Sequence, residues 1–188
     1  MNSNLRIVLA SGSPRRREIL ARLGYKFEIR VSDVREDDAR GSVRDIVTEL
    51  AKRKAHAVAA SERDAVVIGA DTLVALDGHA LGKPADTGDA VRILTLLSGR
   101  AHEVLSGICL INTQTNTCLC DCVCTKVYFR NLSAEEILSY ARTGEPLDKA
   151  GAYAIQGGAK AFVEKYEGSY DNIVGFPSER FSELINLI

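Results

Sequence analysis

The sequence predicts an α/β fold of mixed (α+β) character, a sheet flanked by helices. Three observations lead there. Residues 65–70 read A-V-V-I-G-A, a continuously apolar run suited to a strand covered on both faces. Serine, or serine with proline, repeatedly precedes apolar residues at helical spacing, which marks helix starts. The two kinds of segment alternate along the chain, with no internal repeat, low-complexity tract or linker between them.

The elements follow in order. Residues 5–10 form a short apolar strand. Ser13 caps the next helix, with Pro14 at its first position, Ile19, Leu20 and Leu23 as its apolar stripe and Gly24 at its end. Residues 27–31 read as a second strand. Ser42 and Asp45 resemble a capping box for a long helix to about residue 60, with Val43, Ile46, Val47, Leu50, Ala51 and Val58 inward. Residues 73–76 continue the buried strand and Asp77-Gly78 makes a turn. A helix over 86–98 closes at Gly99. Residues 103–111 and 118–129 form a hairpin around 113–116. Ser133 and Glu136 box another helix that ends before Gly144. Residues 155–163 are predicted as strand with a glycine break. Ser178 caps a last helix carrying Phe181, Leu184 and Ile185.

The 188 residues suit one domain, or one domain with two lobes. A 46% hydrophobic and 26% charged composition is that of an ordinary globular chain. The net charge of -1 argues against broad nucleic-acid binding, although a local basic cleft for a small anion needs no basic protein. The apolar run at the N-terminus is short for a secretory segment, and no stretch is long enough to span a membrane. A soluble, cytoplasmic protein is the expectation. Cys118, Cys120, Cys122 and Cys124 alternate, so an extended strand puts them on one face, too far apart along it to bridge one another. A small buried apolar face is the expected role. A metal or redox role is the alternative, without the two-residue gaps of zinc motifs.

Five segments carry candidate chemistry. In S-G-S-P-R-R, at 11–16, a strand gives way to a helix start whose unpaired N–H groups favour anions. Arg15 and Arg16 stand in its first turn, where the helix dipole disfavours cations. A bound anion would explain that, as would a solvated basic turn. In G-A-D-T, at 69–72, Asp71 ends an apolar run at the carboxyl side of a strand, where ligands bind in open α/β sheets. It is a metal ligand, a general base, or a turn-forming residue. Lys54 follows Val47 and Leu50 on the apolar helix face, so it must snorkel or meet an anion. G-K-P, at 82–84, holds Lys83 in a loop. In D-K-A-G-A-Y-A-I-Q-G-G-A, at 148–159, Asp148 and Lys149 could pair, and Gln156 could read a base edge by donating and accepting. His102 reads as structural or as a base, and His56 and His79 have no evident partner. Neither G-x-G-x-x-G nor a Walker pattern is present.

Taken together, L-A-S-G-S-P-R-R, V-I-G-A-D-T-L-V, L-G-K-P, L-S-G-R-A-H, E-P-L-D-K-A-G-A-Y-A-I-Q-G and G-S-Y-D-N-I-V-G-F-P, in that order, resemble the Maf family of septum-formation proteins. The resemblance implies one Maf-like domain over 1–188. Its architecture would be an elongated, twisted mixed sheet flanked by helices, with two lobes and a deep cleft, as in the inosine-triphosphate pyrophosphatases. It also implies a homodimer with a small nucleotide as its partner, and neither nucleic acid nor membrane. The implied activity is hydrolysis of a nucleoside triphosphate to monophosphate and diphosphate, on dTTP and UTP rather than 7-methyl-GTP, in a house-cleaning or division-linked role. The alternatives are a non-catalytic nucleotide-sensing regulator of septum formation and the 7-methyl-GTP pyrophosphatase branch. By the same resemblance Asp71 is the proton acceptor, and Arg15, Thr72 and Gln156 govern substrate choice. Ser11, Arg16, Lys54, Lys83 and Lys149 line a phosphate cleft. Asp71 and Glu36 would hold a divalent Mg²⁺ or Mn²⁺. Phe176 stands where the family usually has Leu and Ala154 where Gly is frequent, and the cysteine-rich strand is no family hallmark.

Overall fold

The computed structural model describes residues 6–188. Leu5, the first residue of the predicted opening strand, lies outside the described residues. The chain runs β1 (Arg6–Leu9), α1 (Pro14–Arg22), β2 (Glu28–Ile29), α2 (Val43–Ala59), β3 (Ala65–Leu76), β4 (His79–Leu81), α3 (Thr87–Leu97), β5 (Ala101–Asn112), β6 (Thr117–Phe129) and α4 (Ala134–Arg142). Three short 3₁₀ turns then lead to β7 (Val163–Glu167), α5 (Tyr170–Val174) and α6 (Ser178–Leu184). The mixed sheet has strand order β2-β1-β3-β5-β6-β7, with β4 also paired to β3. β1 runs parallel to β2 and β3, whereas the β3–β4 and β6–β7 pairs are antiparallel. Two compact units divide the chain, and the long strands β3, β5 and β6 contribute to both.

The first unit comprises residues 6–72, Ser106–Val123 and Gly175–Ile188. Its α2 begins at the predicted capping box: Ser42 accepts the Asp45 N–H, and the Asp45 carboxylate accepts the Ser42 N–H. The helix buries Val43, Val47, Leu50, Ala51, Ala55 and Val58, while Ile46 is only half-buried. Ala51, Ala55 and Val58 pack on Val8, Val67, Cys109 and Ile111 of the sheet. Two glycines let the helix lie unusually close. A Cβ at Gly69 would collide with the Ala51 carbonyl and the Ala55 backbone, and one at Gly107 with the Val47 carbonyl. Phe176 is fully buried 5.3 Å from the ring of Phe181, so the larger side chain is absorbed by the core.

The second unit comprises Leu73–Leu105 and Cys124–Val174. Asp77 (φ 51) and Gly78 (φ 78) form the predicted turn, the left-handed pair that a two-residue hairpin requires. Its core is aromatic: His102, Phe129 and Tyr153 meet edge to face, and Phe162 packs on Phe129 and Tyr140.

Several expectations are corrected. Residues 155–163 do not form a strand. The Glu145 carboxylate accepts the Gly158 N–H, and Gly157 and Lys160 donate to the Ala154 and Gly157 carbonyls, so a side chain and tight local turns hold this backbone. Gly158–Phe162 is a 3₁₀ turn, and the strand that pairs with β6 begins only at Val163. The second strand spans only Glu28–Ile29. Ser13 occupies the N-cap of α1 but its side chain makes no capping bond, and Ser178 is the first residue of α6 rather than its cap. The cysteine strand is not a uniformly buried face: Cys122 is buried, Cys120 and Cys124 are half-buried and Cys118 is exposed. Its bridge is to the neighbouring strand, Cys109–Cys120. Among the described residues, no helix is long and apolar enough to cross a membrane.

Candidate active site

The first unit holds seven of the expected site residues, Ser11, Arg15, Arg16, Glu36, Lys54, Asp71 and Thr72. β3 is apolar from Ala65 to Ala70, and Asp71 follows with only 7% of its surface exposed. Such burial needs a partner. Lys54 provides it, donating from Nζ to Asp71 Oδ1 at 2.5 Å and pairing with Glu36 Oε1 at 2.7 Å. The lysine thus neither snorkels nor stays solvated. The close approach of α2 at Gly69 sets its third turn over the strand that carries Asp71. Burial pushes the Asp71 carboxyl above its ordinary pKa, while the Lys54 ammonium and the Arg16 guanidinium pull it back.

Arg16 organises a second cluster beside this pair. Its Nε donates to the Gly175 carbonyl at 2.9 Å, and its Nη1 to Ser11 Oγ at 3.1 Å. Its Nη2 donates to Thr72 Oγ1 at 3.4 Å. Thr72 Oγ1 also lies 3.3 Å from the Gly175 carbonyl and 2.9 Å from Ser106 Oγ. Thr72 has one proton to give. It goes to the carbonyl, and Thr72 then accepts from Ser106 and Arg16. Ser11 Oγ also accepts the Ser13 N–H, which fixes the turn into α1. Arg16 therefore meets oxygen acceptors of the chain itself. Arg15 sits half-buried in the same first turn, and Glu36 is the exposed member of the group.

Lys83, Lys149 and Gln156 belong to the second unit. The Gly82 carbonyl accepts the Gly151 N–H at 3.0 Å, joining the G-K-P loop to the D-K-A-G-A segment. Gly151 has φ 69 and packs against Val74, where a side chain would collide. Lys149 is ion-paired to its neighbour Asp148, and Lys83 and Gln156 are exposed. His102 is structural: it is 2% exposed and bonds the Tyr153 hydroxyl at 2.9 Å, and burial pushes its pKa down to about 4.

Ser106 lies outside the sequence motifs, and Gly175 stands in G-S-Y-D-N-I-V-G-F-P without an assigned role. Ser106 is a lone hydroxyl inside the apolar run from Val104 to Leu110, a signal of the same kind as Asp71 in β3. Gly175 (φ 117) brings its carbonyl to Arg16 through a left-handed backbone that the V-G-F-P motif encodes.

The model of one protein family, described as Maf-like protein, matches residues 6–188. This chain belongs to the Maf family. Among its Maf relatives, a protein of Geobacter metallireducens is 51% identical over 178 residues, covering 94% of this chain and 93% of its own length. One of Thermococcus onnurineus is 50% identical over 173 residues, covering 92% of each. Both relatives are named dTTP/UTP pyrophosphatase. Among solved structures, a dITP/XTP pyrophosphatase of Mycobacterium abscessus matches with a TM-score of 0.43 and 16% identity, over 68% of this chain and 76% of that one. The mixed α/β architecture stands on the sheet and helices themselves.

Proposed function

We propose that this Maf protein hydrolyses dTTP and UTP at the α–β phosphoanhydride bond, releasing the nucleoside monophosphate and diphosphate. The observation that carries the reading is the buried Asp71 carboxylate, held at 2.5 Å by Lys54 and flanked by Arg16. Phosphoryl transfer asks for positioning and charge neutralisation rather than covalent chemistry, and this arrangement offers both. The names of relatives with half their residues identical supply the pyrimidine substrates.

In this reading Asp71 accepts the proton of the attacking water, and its burial-raised pKa makes it a stronger base than a solvated carboxylate. Lys54 and Arg16 stabilise negative charge on the phosphates, with Arg15 and Ser11 beside them. Lys83 and Lys149 are assigned to phosphate binding, and Arg15, Thr72 and Gln156 to choice of the base. A divalent ion fits the residues present. Asp71 and Glu36 already share one cation, the Lys54 ammonium, and two carboxylates with substrate oxygens are the usual protein share of a Mg²⁺ shell. When bound there, Mg²⁺ or Mn²⁺ neutralises phosphate charge and makes the attacking water more acidic. A homodimer is part of the proposal and is read by sedimentation.

The test is a panel of nucleoside triphosphates, including 7-methyl-GTP, incubated with purified protein with and without Mg²⁺ or Mn²⁺. dTTP and UTP should be converted to monophosphate and diphosphate only with the metal. Binding without hydrolysis would overturn the enzymatic reading, and preference for 7-methyl-GTP the pyrimidine one.

A further inference from the structure

A second constellation in the first unit lies outside the Asp71 cluster. Cys109 of β5 and Cys118 and Cys120 of β6 bring their sulfur atoms together, each within 4.8 Å of the others. Cys118 Sγ lies 3.5 Å from Cys109 Sγ and 3.7 Å from Cys120 Sγ. His56, in the last turn of α2, places Nε2 4.0 Å from Cys118 Sγ. The fold explains the convergence. Cys118 and Cys120 are two residues apart and share a face of β6, and Cys109 joins them from the adjacent strand. α2 packs over Cys109 through Ala51, Ala55 and Val58, leaving His56 at the rim. Arg44, at the start of the same helix, donates to the Cys122 carbonyl at 2.6 Å and fastens α2 to β6.

We propose that His56, Cys109, Cys118 and Cys120 form a binding site for a thiophilic divalent cation of the Zn²⁺ class. Three thiolates and one imidazole are a recognised tetrahedral donor set. Metal–sulfur bonds of about 2.3 Å separate tetrahedral ligand sulfurs by roughly 3.8 Å, and the two distances from Cys118 lie close to that. The sequence spacing lacks a zinc motif because one sulfur comes from the neighbouring strand and the nitrogen from a helix 62 residues away. An entry path exists: the cluster opens into a groove of about 930 Å³ lined by Arg44, Thr48, Lys52, His56, Cys118 and Cys120, among others. Cys109 and Cys120 form a disulfide in the structure, so binding of the cation requires its reduction first. A dithiol reductant supplies two electrons and two protons, converts this bridge to two thiols and is itself oxidised to a disulfide. The cation then takes three thiolates and the neutral imidazole, releasing three protons.

Co²⁺ alone is the probe. Protein reduced with a dithiol and freed of it under anaerobic conditions should develop a thiolate-to-cobalt charge-transfer band whose intensity corresponds to one cysteine-bound Co²⁺ per chain and which Zn²⁺ abolishes. The unreduced protein should give no such absorption. Loss of an outer-shell partner weakens metal sites about 10–100-fold, so loss of a ligand in Cys118→Ser or His56→Ala should weaken binding by ~100-fold or more. Cys118 and His56 are exposed, so these variants keep the core intact. Cys124→Ser and Asp71→Asn should leave the absorption unchanged, which separates this site from the catalytic one. Absence of the band in reduced protein, or its persistence in Cys118→Ser, would overturn the proposal.

Discussion

Both units bury a titratable pair, and the two pairs behave oppositely. In the first, the Asp71 carboxylate meets the Lys54 ammonium, with Arg16 and Glu36 near enough to shift it. In the second, His102 bonds the Tyr153 hydroxyl among Phe129 and other aromatics, and its pKa falls through burial alone. Burial is similar, 7% exposure for Asp71 and 2% for His102. What differs is the surrounding charge. A buried group with opposing charges around it can exchange a proton as a substrate arrives. A buried neutral group among rings fixes packing.

Substitutions can break this contrast, beginning with the largest expected effect. Lys54→Met should lower kcat/KM for dTTP by ~10²–10³-fold, the usual effect of losing one charge-stabilising group. The ammonium holds the Asp71 pKa down, so its removal raises that pKa, and the acid limb of the pH–rate profile should move to higher pH. An unchanged profile would detach Lys54 from Asp71.

His102 should leave catalysis alone and govern stability instead. Its pKa falls from 6.5 to about 4 on folding, so between those values the unfolded chain binds more protons. Stability should therefore be full above pH 6.5 and decline toward pH 4, by about 3 kcal/mol on the linkage scale. In His102→Gln that decline should be missing from thermal melts taken across the pH range.

Gly69→Ala tests how the helix positions the charged pair. Overpacking of a tight core costs about 1–3 kcal/mol, and here the added methyl meets the backbone of α2, which cannot swing aside as a side chain could. Lower thermal stability together with reduced activity is expected, because Lys54 rides on the displaced helix. The smallest effect, about 1 kcal/mol, is expected for Ser133→Ala, which removes the cap of α4 in the second unit and should leave kcat untouched.

What the sequence revealed follows the same division. Local signals were legible: both capping boxes, the Asp77-Gly78 hairpin and the apolar run of β3 formed as their residues dictate. Asp71 stood out as a carboxylate ending that run. Lys54 was visible only as a misplaced cation, since its partner is 17 residues away on another element. The role of Gly69 was hidden for the same reason, because a glycine in a strand does not announce which backbone approaches it. Residues 155–163 do not form the expected strand because Gly158 bonds the Glu145 carboxylate while Gly157 and Lys160 close tight turns on nearby carbonyls, partners that periodicity does not register. The cysteines alternated as a strand should, yet the face they share is completed by Cys109 and His56.

The most direct measurement of the central claim is kcat/KM for dTTP in Asp71→Asn, with circular dichroism and a thermal melt on the same preparation. Loss of a general base predicts a fall of ~10²–10⁴-fold in a protein that remains folded. Hydrolysis at the wild-type rate would contradict the assignment of Asp71 as the proton acceptor.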